Sequence, residues 1–350
     1  MGFGVLKCKT LHVERGIIVE EEGIVTSTGN VIGMLSADEL HKYLGMLQNL
    51  GIKKDKVKER LTALFVSRPN AVLKTPLNSK NMTKAINTYV IAALLYSFGI
   101  VPWSDTELEG LNRTIRTSLT KWSKYHPKAA IERVNIPRRE GGRGILDLLE
   151  ACNSQICMLR NHFLSREDSS LHVAICRVHK SYTPLRRAAH NPEEQQAFDM
   201  LPRKLQNWAG KPLHGRHVHL VQQEHVNQAR SYLWLTKGQL YPETEGFAIA
   251  IQDQVIATRN YRRHITKENT ESDKCRRCNA APETIDHITS ACTQLAAKEY
   301  TERHDTMGKI VYQALASNCD LLENLESIIV IIRQLYLRIN DIACIGTTQS

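Results

Sequence analysis

The chain has 350 residues, 42% of them hydrophobic and 6% aromatic, with 46 Lys and Arg against 36 Asp and Glu for a net charge of +10. Such a length supports two or three domains around a sizeable core. The most apolar late run, SIIVIIRQLYLRINDIACI, is broken by Arg333, Gln334, Arg338, Asn340 and Asp341, which excludes a membrane span there.

No secretory signal opens the chain, and its nine cysteines are odd in number, with three of them clustered at ligand spacing. That usage fits a reducing, intracellular setting and not a disulfide framework. The basic excess is uneven: residues 51–140 hold seventeen basic and seven acidic side chains, a surplus equal to that of the whole chain. A phosphate-binding surface has this form, because neutralised phosphates release counterions. A solvated helical surface with no partner has it too.

Residues 1–50 predict a β-rich segment. TLHVERGIIVE and EEGIVTSTGNVIGML alternate apolar with polar residues around Gly23 and the Thr28-Gly29-Asn30 turn, which predicts a hairpin. A third short strand is expected over His41, Lys42, Tyr43, Leu44, Gly45 and Met46. Three strands make no domain alone, so the segment should pack on helices or be the edge of a larger sheet.

Residues 51–125 predict a basic helical domain. The first helix carries Val57, Leu61 and Leu64 on one face with lysines such as Lys53, Lys54 and Lys56 opposite, and Pro69 marks its end or a kink. The second places Met82, Ile86, Tyr89, Val90, Ala93 and Leu94 at helical spacing and stops at Gly99. Ser104 and Glu107 form a capping box for the third, whose inner stripe is Leu108, Leu111, Ile115, Leu119 and Trp122. Arg113, Arg116, Lys121 and Lys124 are expected outside.

Residues 126–230 predict a connector with helices. GGRG at 141–144 lacks the Gly-Lys-Ser/Thr ending of a P-loop and is expected to be a turn between strand and helix. Arg138, Arg139 and Arg143 beside it are candidates for phosphate contacts. Residues 145–180 return to helix, with Cys152, Cys157 and Cys176 on apolar faces. Residues 181–227 are expected to be mobile, with His214, His217 and His219 on the surface.

Residues 231–315 predict a linker helix over Phe247–Arg259 and then a metal knuckle. Cys275, Cys278, His287 and Cys292 follow the spacing C-x2-C-x8-H-x4-C. Thiolates and an imidazole suit zinc, and four protein ligands leave no open position, so the expected cofactor is a structural zinc ion. A short helix from Pro282 should present His287, and the chain must turn near Ser290 and Ala291 to bring Cys292 round. His304 competes as the fourth ligand, and buried reduced cysteines are the alternative to a metal. Arg259, Arg262, Arg263, Arg276 and Arg277 frame the knuckle as a candidate phosphate clamp. A last helix is expected from Leu321 to Ile345, within a segment of residues 316–350. The fold class predicted is therefore mainly α, with a small N-terminal β-hairpin or sheet remnant, a helical bundle, a connector and a C-terminal zinc knuckle.

Three separated strings carry a family resemblance: FGVLKCKTLHVERG followed by HKYLGM, then LNRTIRTSLTKWSKYHPKAAIERVNIPRREGGRGILDL, then CRRC, DHITSAC and EYTERH. Together, over roughly residues 1 to 315, they resemble the C-terminal half of reverse transcriptases from non-LTR retrotransposons of the restriction-like-endonuclease class. The resemblance implies that Lys7 to Thr10 end the palm, that Tyr43, Leu44 and Gly45 are the primer grip, and that residues 52–125 are a thumb tracking a template-primer duplex. It makes the Cys and His set the family's zinc knuckle, followed by Tyr300, Arg303 and His304. RNA and DNA are the implied partners, with an intracellular and, by resemblance, nuclear location.

The chain also departs from the family. It has no Asp-Asp doublet to hold the magnesium ions of a polymerase, so magnesium is expected only if a palm is supplied from elsewhere. No proline follows Pro282 and no lysine follows Lys309, so the nuclease motif is missing too. The expectation is a truncated fragment, catalytically inactive alone. The alternative is an intracellular helical adaptor stapled by zinc that binds acidic proteins, and a weaker one is a hydrolase using His304 and Asp305.

Overall fold

The computed structural model describes residues 4, 7–166, 170 and 200–318. The expectations for Cys176 and for the helix over 321–345 fall outside them. The protein is mainly helical with small N-terminal two-stranded sheets and a C-terminal Cys/His cluster. It divides into two compact units, one of residues 1–75, 84–115 and 146–200, the other of residues 76–83, 116–145 and 201–350.

The first unit begins with three antiparallel ribbons: β1 (Val13–Glu14) with β2 (Ile17–Ile18), β3 (Ile24–Val25) with β4 (Val31–Ile32), and β5 (His41–Tyr43) with β6 (Met46–Gln48). A two-residue hairpin with a type I′ turn takes positive φ at both turn residues. Arg15 and Gly16 supply φ 48° and 85°, and Leu44 and Gly45 supply 47° and 83°. The strand expected through Met46 is therefore itself a hairpin, turning at Leu44 and Gly45, and the one hairpin expected upstream is two.

Helix α1 (Lys54–Leu73) buries Val57, Leu61, Phe65, Pro69, Val72 and Leu73. Its buried arc centres on Leu61 and Phe65, which puts Leu64 at the edge and 38% exposed, contrary to expectation. Pro69 does not end it. The proline removes one bond, to the Phe65 carbonyl, but Lys74 N–H still reaches the Asn70 carbonyl and Thr75 N–H that of Val72.

The second helical stretch is α2 (Ser79–Ala85), a π-helical turn (Ile86–Ile91) and α3 (Ala92–Leu95). The extra residue of a π turn rotates all that follows. Ile91 is thereby buried and Tyr89, expected inside, is 50% exposed with the Arg68 guanidinium 4.5 Å from its ring centre. The helix stops at Leu95, ahead of Gly99.

Helix α4 (Asp105–Lys121) has the expected capping box: Ser104 N–H donates to Glu107 Oε2 at 2.7 Å and Glu107 N–H to Ser104 Oγ at 3.3 Å. Leu108, Leu111, Ile115 and Leu119 are buried, while Trp122 lies past the helix end and is half-buried. Helix α6 (Leu148–Leu164) is capped by Asp147 and buries Cys152 and Cys157. Burial pushes the Cys152 thiol up to about 12, so it behaves as a small apolar side chain.

The second unit holds α5 (Glu132–Asn135), a 3₁₀ turn (Arg138–Glu140), α7 (Leu201–Ala209), α8 (Gly215–Val221), α9 (Gln228–Ser231), α10 (Leu233–Thr236), α11 (Pro242–Gln252) and α12 (Arg259–His264). The single helix expected over 247–259 is thus two, with α11 starting at Pro242. The GGRG turn joins the 3₁₀ turn to α6, not a strand to a helix. Gly141 and Gly144 take left-handed φ of 90° and 74° there.

Two acids, Glu245 in α11 and Asp253 at its C-cap, organise the core of this unit. Glu245, Ile249 and Asp253 are four residues apart, so they share one buried stripe. Asp253 accepts from Arg133 Nη1 at 2.9 Å and from Ala130 N–H at 2.8 Å. Glu245 holds both Arg138 and Arg143, and Arg143 also donates to Ser79 Oγ at 2.9 Å. Arg133 stacks on buried Trp208 at 4.6 Å. Lys124, expected outside, is buried and paired with Glu243. His217, expected on the surface, sits between Trp208 and Tyr232, with ring centres 6.1 and 5.9 Å away.

Candidate metal centre

Residues 274–282 form a tight loop closed by a bridge between Lys274 and Pro282. Cys275 N–H donates to the Ala281 carbonyl at 2.8 Å and Asn279 N–H to the Cys275 carbonyl at 2.9 Å. Asn279 turns the chain with φ 50°, a left-handed conformation that asparagine tolerates. This curl turns successive N–H groups onto sulfur. Arg277 N–H reaches Cys275 Sγ at 3.4 Å, and the amides of Ala280 and Ala281 bring the Cys278 thiol down to about 6. At neutral pH that sulfur is a thiolate, the form that binds metals.

His287 opens a π turn (His287–Ala291) that ends in extended backbone at Cys292, φ −79° and ψ 116°. This is the expected reversal, two residues later than Ser290, and it carries the Cys292 sulfur back to the loop. The short α13 (Thr293–Leu295), a second π turn (Ala296–Tyr300) and α14 (Thr301–Asn318) follow.

The ligand atoms of Cys275, Cys278, His287 and Cys292 all lie within 4.8 Å of one another. Cys275 Sγ and Cys292 Sγ are 3.9 Å apart, and Cys278 Sγ is 3.3 Å from His287 Nε2. Cys275, His287 and Cys292 are buried, and Cys278 half-buried. A Cys3His cluster able to hold a metal ion is the result. Burial pushes the Cys292 thiol up. His304 takes no part: its side chain is 87% exposed and turned to Asp305. Among the described residues no second group of three or more His, Cys, Asp or Glu side chains is placed to hold an ion.

Two side chains brace the cluster. Tyr300 Oη accepts from Cys292 N–H at 3.0 Å and donates toward the carbonyl of Ile288 at 2.9 Å, with that of His287 at 3.2 Å. Arg303 lies 5.1 Å from the Tyr300 ring and donates to the Thr289 carbonyl at 2.6 Å. Glu283, buried, accepts from the backbone N–H of Arg259 and of Arg276 at 2.9 Å each and from the Arg276 side chain at 2.8 Å. Burial would raise its carboxyl, but the bonds from Arg276 and Arg259 prevail and hold it below the usual range. Glu283 was not singled out from the sequence; the signal was an acid seven residues after Arg276, between the second cysteine and the histidine of the ligand run.

The basic candidates separate by what their side chains face. In the first unit Lys7, Lys53, Lys56 and Arg113 are exposed, Lys54 is half-buried, and Tyr43 and Leu44 stand out at the β5–β6 turn with Gly45 half-buried. In the second unit Lys121, Arg139, Arg263 and Arg277 are exposed, and Arg116 and Arg262 are half-buried. Arg138 and Arg143 are not available to a phosphate, since Glu245 holds both. Arg276 is likewise held by Glu283. No helix among the described residues is long and apolar enough to cross a membrane. Neither a protein-family model nor a curated protein matches this chain.

Proposed function

We propose that this chain is the nucleic-acid-gripping part of a non-LTR retrotransposon reverse transcriptase, pinned by one structural zinc ion and without polymerase or nuclease activity of its own. The carrying observation is the Cys3His cluster together with its brace. The string EYTERH that follows the ligands in the resemblance supplies Tyr300 and Arg303, and both grip the ligand turn.

The donor set fits zinc. Bonds of about 2.3 Å to sulfur and 2.0 Å to nitrogen put tetrahedral donors about 3.8 Å apart for a sulfur pair and about 3.5 Å for sulfur and nitrogen. The corresponding pairs here are 3.9 and 3.3 Å. Zinc would be held by three sulfurs and His287 Nε2, with no position left for water, and would supply cross-linking and no chemistry. Exposed Lys53, Lys56 and Arg113 in one unit, and Lys121, Arg139, Arg263 and Arg277 in the other, would contact phosphates. The absence of an Asp-Asp doublet supports the inactive reading.

Zinc content measured on purified protein, Cys278→Ser and His287→Ala tests the metal. One ion per wild-type chain and none in either variant is expected; unchanged content in the variants ends the proposal. A salt titration with duplex and single-stranded RNA tests the grip, against an acidic peptide as comparison. RNA affinity should fall steeply with salt, and Lys53→Ala with Arg113→Ala should lower the log–log slope by about one for each phosphate that is no longer neutralised. Equal weak binding of RNA and peptide would favour the adaptor, and metal-dependent DNA synthesis in a template-extension assay would overturn the inactive reading.

A further inference from the structure

Tyr89 stands where helical spacing expects core, and the π turn at Ile86–Ile91 carries it to the surface. Such turns are rare and occur often at functional sites. The other two among the described residues, 287–291 and 296–300, both build the metal cluster. What this one presents to solvent is a tyrosine ring with an arginine already laid on it.

The arrangement occurs twice within the first unit. Arg68 donates to the Tyr89 carbonyl at 2.8 Å while its guanidinium lies 4.5 Å from the Tyr89 ring centre. Eight residues earlier on α1, Arg60 donates to the Gly45 carbonyl, and the Tyr96 ring lies beside Gly45, its Cε1 3.8 Å from where a side chain there would begin. Arg60, Leu64 and Arg68 are four residues apart and so share one flank of α1. Eight helical residues span about 12 Å, which is the distance between the two Arg–Tyr pairs along that flank. Tyr89 and Tyr96 are 50% and 54% exposed.

Carbonyls hold both guanidiniums, which fixes their position without cancelling their charge. Neither is paired with a carboxylate among the described residues, in contrast to Arg133, Arg138, Arg143 and Arg276. The sequence enforces this: from Arg60 to Ser104 it has five Lys and Arg and no Asp or Glu.

We propose that this flank binds a single-stranded stretch of nucleic acid, with bases stacked on Tyr89 and Tyr96 and phosphates on Arg60 and Arg68. Exposed rings accept the face of any base, and a fixed guanidinium matches phosphate oxygens. At about 3.4 Å per nucleotide of a stacked strand, 12 Å covers roughly four bases. A duplex keeps its bases stacked inside and would leave both rings unused. The inference rests on the nucleic-acid reading above and narrows it, on this flank, to unpaired strand.

The test is fluorescence anisotropy of the full chain with three labelled probes of equal length: a 12-nucleotide oligo(U) RNA, its duplex with oligo(A), and an abasic strand with the same phosphates. Wild type should bind oligo(U) about twentyfold or more tighter than the abasic strand, since one stacked base contributes about fivefold at the low end. Tyr89→Ala and Tyr96→Ala alter exposed side chains and should keep the wild-type urea midpoint. Each should weaken oligo(U) by about fivefold or more and leave the duplex and the abasic strand unchanged. Tyr96→Phe keeps the ring face and should bind oligo(U) as wild type does, as should Tyr312→Ala, on a tyrosine 72% exposed in α14. Equal wild-type affinity for oligo(U) and the abasic strand, or unchanged oligo(U) binding in both alanine variants, would overturn this inference and leave the nucleic-acid reading standing. A wild type that binds none of the three probes would remove both.

Discussion

Tyr300→Phe should loosen the metal cluster without touching a ligand. The change removes one oxygen and keeps the ring that packs with Cys275, Cys292 and Leu295 and supports Arg303. Two hydrogen bonds go with it, from Cys292 N–H at 3.0 Å and to the Ile288 carbonyl at 2.9 Å. A net hydrogen bond contributes about 1 kcal/mol, and a buried donor left unsatisfied costs about 1–3 kcal/mol. Cys292 is fully buried, so its N–H has no water to turn to. A total near 2 kcal/mol follows, or about 30-fold in affinity if the whole cost falls on the metal-bound form, within the roughly 10–100-fold range of outer-shell effects on metal sites. The assay is zinc competition against a chromophoric chelator, with Tyr312→Phe as control on a tyrosine that is 72% exposed. Equal zinc affinity in wild type and Tyr300→Phe would refute the reasoning and reduce Tyr300 to packing.

Glu245→Gln should destabilise the second unit strongly, because Arg143 is 1% exposed at its side chain and would lose its counter-charge together with Arg138. Breaking one side of a buried pair costs about 3–5 kcal/mol, so an unchanged urea midpoint would contradict it. His217 has its titration lowered from 6.5 to about 3, first by burial and then by the Arg133 charge. The unfolded chain therefore takes up its proton first. The stability from keeping this ring neutral is full above about pH 6.5 and is lost as pH falls toward 3, by at most about 1.4 kcal/mol per pH unit. Urea midpoints at pH 7 and pH 5 should differ less in His217→Phe than in wild type, and an equal difference in both would sink the assignment.

Several features were legible in the sequence because the physics that sets them is local. Four ligands within eighteen residues can meet only if the intervening chain curls, and the spacing of Cys275, Cys278, His287 and Cys292 already describes that curl. The Ser104 and Glu107 box spans four residues and closes as expected. Helical stripes located the core to within a residue or two until a π turn shifted the register at Ile86–Ile91, exchanging Tyr89 for Ile91. No periodicity in the residues themselves announces that extra residue.

What tertiary structure alone decided is the fate of the arginines. Arg138 and Arg139 are adjacent and chemically the same, yet one is locked to Glu245, 107 residues away, and the other has a side chain 77% exposed. Charge counted along the chain treats them alike, because a sum of charges does not record which side chain meets a buried carboxylate. Residues 76–83 and 116–145 joined residues from 201 onward in one compact unit, which placed Glu245 within reach of one guanidinium and not its neighbour. Ligand spacing, caps and turns are written in the sequence because they close within one loop. A buried ion pair is not, because its partner is chosen only when distant segments pack.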